Sequence, residues 1–81
     1  MINKWSDLWI MEFYCNEPLL AETEQEAKQY VKQWIIKEYE LPPETEVQER
    51  YYRHRQMWKF WVEGIENDTN LADIRPISWA Q

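Results

Sequence analysis

Hydrophobic positions along this chain follow two rhythms, and the change from one to the other marks the expected elements. Over residues 7–15 the period is two: Trp9, Met11, Phe13 and Cys15 share one face of a strand, and Leu8, Ile10, Glu12 and Tyr14 share the other. Neither face is cleanly polar, which suits a strand in the middle of its sheet or one covered in part on both sides. Asn16, Glu17 and Pro18 supply turn chemistry. The rhythm then becomes helical, with Ala27, Tyr30, Val31, Trp34 and Ile35 recurring at spacings of three and four. A helix over 24–38 follows. Thr23 and Glu26 have capping-box spacing, the acids at 22, 24 and 26 suit a helix N-terminus, and Glu24 stands four residues before Lys28, the geometry of a surface ion pair.

Leu41, Pro42 and Pro43 end that helix, because proline lacks an amide donor and restricts the residue before it. A second helix is expected next. Pro43 suits its first turn, Thr45 and Gln48 repeat the capping-box spacing, and Val47, Tyr51, His54 or Arg55, and Trp58 continue a helical stripe. Residues 57–65 are aromatic and β-branched and read as a strand with Trp58, Phe60 and Val62 on one side. The polar run 66–70 reads as a turn. A last strand over 71–79 contains Pro76, which places it at a sheet edge. The expected fold is α+β: a small, mainly antiparallel three-stranded sheet with one face covered by one or two helices, in the order β-α-α-β-β. The competing architecture joins 45–63 into one long helix and leaves two strands.

The 81 residues suffice for one hydrophobic core and define a single expected domain. Six Trp, five Tyr and two Phe make that core feasible, since each ring buries about 150–250 Å². The formal charge of −6 disfavours general binding to nucleic acid. Charge is nevertheless segregated: residues 17–49 carry nine acids against three lysines, whereas residues 50–59 carry four bases and no acid. No apolar run approaches the roughly 18 residues of a membrane span, and Asp7 and Glu12 interrupt any signal-peptide pattern. An intracellular, non-membrane protein is the expectation.

Candidate chemistry is sparse. Cys15 is the one cysteine and reads as a packed strand thiol; His54 is the one histidine, so a His-based metal cluster cannot form within the chain. Gly64 is the one glycine, which removes phosphate-cradling loops. No catalytic residue, metal ligand or cofactor is assigned. The strongest functional feature is the basic, aromatic strip, in which Arg50, Tyr52, Arg53, Arg55 and Trp58 could contact a partner. On a helix, Arg50, Arg53 and His54 would lie together with Arg55 farther around. The plainer expectation is that Tyr51 and Trp58 are core and the arginines pair with the acids of the first helix. Glu44, Glu46 and Glu49 are candidates for steering a basic partner.

These features favour a noncatalytic protein-interaction domain, such as a small acidic regulator or inhibitor of a basic partner. A homodimer through a free strand edge is compatible with the same composition. The first alternative is a single-strand nucleic-acid-binding module built on residues 50–59. The second is a small enzyme whose cleft gathers Cys15, His54 or several carboxylates.

Overall fold

The computed structural model describes residues 8–13, 17–65 and 71–77, and all structural statements below concern these. Six elements follow one another: β1 (Trp9–Phe13), β2 (Leu19–Ala21), α1 (Glu24–Glu38), β3 (Gln48–Tyr52), β4 (Met57–Trp61) and β5 (Ala72–Pro76). The strands form one five-stranded sheet in the order β2-β1-β5-β4-β3, with every neighbouring pair antiparallel.

The single helix spans the residues that the hydrophobic stripe predicts. Ala27, Val31 and Ile35 are buried on its inner face, and Trp34 packs partly against the same core. Thr23 caps it, its hydroxyl accepting from the Glu26 amide at 3.1 Å. The returning Glu26 carboxylate accepts from the Glu22 amide rather than from Thr23, so the box is closed one residue early. At the other end the Leu41 amide donates to the Ile36 carbonyl at 2.8 Å and the Glu40 amide to Lys37 at 3.2 Å. This is a Schellman motif, with Glu40 in the left-handed region at φ 53 and Leu41 and Ile36 both packed against the core.

The three-stranded sheet and the second helix are both overturned. Pro43 does not open a helix. It occupies the second position of a turn in which the Thr45 amide donates to the Pro42 carbonyl at 3.0 Å, a place that wants the same φ as the first turn of a helix. The chain then enters β3, where Glu49 and Tyr51 turn toward the helix side of the sheet, as does core Val47 just before it, and Gln48, Arg50 and Tyr52 turn away. A spacing of four between Val47 and Tyr51 is an even number, so it places two residues on one face of a strand as well as of a helix. Tyr51 and Trp58, expected on one helical stripe with His54 or Arg55 between them, are cross-strand partners in the β3–β4 ladder. β4 agrees with the expected strand, and it puts Phe60 in the core with no exposed surface. β2, three residues long, was missing from the expected order because two leucines after Pro18 carry too little periodicity.

The last strand is also central rather than at an edge, between β1 and β4. Its proline is tolerated for a local reason. The Ile77 amide donates to the Leu8 carbonyl at 2.9 Å, so the ring nitrogen of Pro76, one residue earlier, points toward β4. There the ladder has already ended, at Ile74 opposite Trp58. The turn expected at 66–70 and the thiol of Cys15 lie outside the described residues.

α1 lies across β1, β5 and β2. Met11 and Phe13 of β1, Ala72 and Ile74 of β5, and Phe60 of β4 meet its buried face, with Val47, Val62 and Leu71 closing the periphery. An aromatic run extends from this core to the surface: the Phe13 ring stacks at a tilt on Trp34 with centroids 4.6 Å apart, and Tyr30 and Tyr39 meet these rings edge-on.

Candidate functional site

The basic strip is a hairpin. β3 and β4 are joined by a four-residue turn, residues 53–56, in which the Arg55 amide donates to the Tyr52 carbonyl at 3.1 Å and the Gln56 amide to Arg53 at 3.3 Å. Gln56 closes the turn with φ 50. The helical clustering of Arg50, Arg53 and His54 is thereby replaced. Arg50 stands on β3, while Arg53, His54 and Arg55 project from the tip and are exposed.

Register sorts the hairpin into two unlike faces. On the side away from α1, the guanidinium of Arg50 lies 5.8 Å from the Tyr52 ring centroid and the Lys59 ammonium 5.0 Å from it. Tyr52 thus stands beside the cross-strand pair of cations Arg50 and Lys59, with 36% of its surface exposed. Across the sheet, register aligns Glu12, Asp73, Lys59 and Arg50 in one row, two acids followed by two bases. The acidic end is engaged: Arg75 grips Glu12 through two hydrogen bonds of 2.8 and 3.2 Å and lies 3.9 Å from Asp73. The Glu12 hydrogen bonds hold the Arg75 guanidinium above its ordinary pKa, against a smaller opposing effect of burial. At the basic end, none of Arg50, Arg53, Arg55 and Lys59 forms an ion pair among the described residues.

The helix-side face of the hairpin is committed to structure. Trp58 is half-buried; its indole N–H donates to the Glu24 carboxylate, Lys28 stands 3.4 Å over its ring, and Tyr51 stacks at a tilt 5.2 Å away. Lys28 and Lys32 reach the two oxygens of Glu49 at 3.2 and 2.8 Å. Burial raises the Glu49 pKa, but the lysine contacts and their charges outweigh it, leaving the carboxyl below its ordinary 4.5. The expected pairing of hairpin arginines with helix acids is therefore inverted, since helix lysines hold a hairpin acid. The local Glu24–Lys28 pair is not formed, because each side chain reaches across to β3 and β4 instead.

Of the acids read as steering groups, Glu44 and Glu46 are exposed and Glu49 is bound. An open groove of about 440 Å³ lies beside Glu46 and Glu49, lined by buried Val47, partly buried Ile36 and the Lys32–Glu49 pair. At the opposite edge of the sheet, β2 exposes Leu19 and Leu20 by 41% and 50%, a surface that sequence reasoning did not single out. No group of three His, Cys, Asp or Glu side chains among the described residues could hold a metal ion, and none of their helices is long and apolar enough to cross a membrane.

No protein-family model, curated protein or solved structure matches this chain.

Proposed function

We propose that this chain is a protein-interaction domain whose contact surface is the β3–β4 hairpin. The observation that carries the reading is Tyr52, an exposed ring on a terminal strand, within reach of the opposed cations Arg50 and Lys59 and followed in the chain by Arg53 and Arg55 at the tip. Tyrosine and arginine are the side chains through which protein interfaces draw much of their binding energy. Glu44 and Glu46 remain available for steering a basic partner, but the engagement of Glu49 by two lysines shifts the weight of the reading from the acids to the hairpin.

The test is affinity capture from native lysate with the full chain, with and without nuclease, repeated with Arg50→Glu combined with Arg53→Glu. A defined protein retained after nuclease and lost from the double variant is the expected result. Capture that ignores the substitutions would remove the hairpin as the contact surface. The nucleic-acid reading draws on the same Tyr52 and its neighbouring cations, and capture abolished by nuclease would favour it.

A further inference from the structure

We propose that the outer edge of β3 receives an acidic, extended protein segment as a sixth strand, with its carboxylates on the side of Arg50 and the turn arginines. This deepens the interaction reading and rests on it, adding the chemistry and backbone geometry of the partner.

Among the described residues β3 is the terminal strand, paired to β4 alone. Its five residues span roughly 17 Å and present on the outer side a row of backbone donors and acceptors of the kind an extended peptide can complete. Directly opposed residues on paired strands share a face, so β3 dictates what an incoming strand must display on each side. On the side away from the helix it would meet Arg50 and Tyr52, with Lys59 one strand behind. That side calls for carboxylates. On the helix side it would meet the Tyr51 ring, 43% exposed, and a Glu49 carboxylate already neutralised by Lys28 and Lys32. That side calls for apolar groups and rejects a second acid. The segment is thus acidic and apolar in alternation.

Two other occupants fit this edge less well. A second copy added through its own β3, with the two helices on one side of the joined sheet, would gather both copies' Arg50 and Lys59 on a single face, and like charges there oppose pairing. A single-stranded nucleic acid could stack on Tyr52, but it would leave the strand's backbone donors and acceptors uncompleted, which an extended peptide strand would not.

The experiment is fluorescence anisotropy with the full chain and a labelled peptide of about eight residues, alternating Glu and Val, long enough to cover β3. Comparison probes are the same peptide with Gln for Glu, two versions N-methylated at alternate amides in either phase, and a uridylate oligomer of similar length. Binding of the acidic peptide should weaken by about tenfold or more with Gln, with at least one N-methylated phase, and with Arg50→Glu or Arg53→Glu taken separately. Leu20→Glu, at the opposite edge, should leave it unchanged. Arg53→Glu lies in an exposed turn outside the ladder, so it reports on binding even if the β3 variant folds poorly. If both methylated peptides bind like the parent, the contact is charge capture and strand addition is wrong. Binding of the uridylate oligomer alone, or of no probe, equally overturns the proposal; lysate capture that remains sensitive to Arg50→Glu and Arg53→Glu would then still uphold the broader interaction reading.

Discussion

Glu49 shows how one side chain can hold two elements together and make their union sensitive to acid. It lies on β3 facing α1, and Lys28 and Lys32, one helical turn apart, close on its two oxygens. With its folded-state pKa below 4.5, the carboxylate contributes stability that is fully present above its ordinary pKa and is lost as pH falls through the folded value. Glu49→Gln should therefore cost about 0.5–1 kcal/mol at neutral pH, the scale of a partly exposed ion pair. The deficit relative to the parent chain should shrink between neutral pH and a pH below the lowered folded value, where the parent carboxyl is itself protonated. Urea unfolding of both proteins at the two pH values measures this; a constant deficit would assign the effect to packing instead of charge.

At the scale of elements, two turns are closed by residues in a conformation that L side chains adopt reluctantly. Glu40 ends α1 at φ 53, and Gln56 ends the hairpin turn at φ 50. Glycine has no Cβ to clash in that region and is the usual residue at such positions. Glu40→Gly and Gln56→Gly should each stabilise the chain by about 0.5–1 kcal/mol, read as a raised denaturation midpoint at unchanged m-value. Gly64 already fills such a position at φ 89, in the turn after β4 closed by the Ile65 amide on Val62. These turns also explain what the sequence concealed. The end of α1 was legible from Leu41 and the two prolines, whereas the cap itself carries no glycine to announce it. The 53–56 turn likewise has none, so Arg50 and Tyr52 looked like members of a continuous helix, and the strand edge on which the candidate site depends was invisible.

For the molecule as a whole, the decisive feature is that β5, close to the end of the described chain, lies at the middle of the sheet. Ile74 is opposite Met11 on one side and Trp58 on the other, and is fully buried beneath α1. Truncating it removes packing from both halves of the sheet at once. Ile74→Ala should cost about 3–4 kcal/mol, a large share of the roughly 5–15 kcal/mol available to a small domain. Thermal unfolding followed by near-ultraviolet circular dichroism should show a strongly lowered midpoint or loss of the cooperative transition. A shift of only a few degrees would mean that the two halves of the sheet are held together elsewhere.

Local chemistry by itself determined α1, its Thr23 cap, which residues of β1 share a face, and the segregation of acids from the bases of residues 50–59. Each depends on contacts within a few residues, or on a periodicity long enough to tell 3.6 from two. Tertiary structure decided the rest. A spacing of four suits both periods, and Pro43 suits both a helix start and a turn, so β3 was settled by pairing with β4, which satisfies its backbone groups and brings Tyr51 against Trp58. The same pairing chose which charges remain available: Glu49 was drawn to the helix lysines, and Arg50, Tyr52 and Lys59 were left together on the other side of the sheet. Glu49 and Lys28 stand 21 residues apart, and no local rule states which of two charged residues will find a distant neighbour.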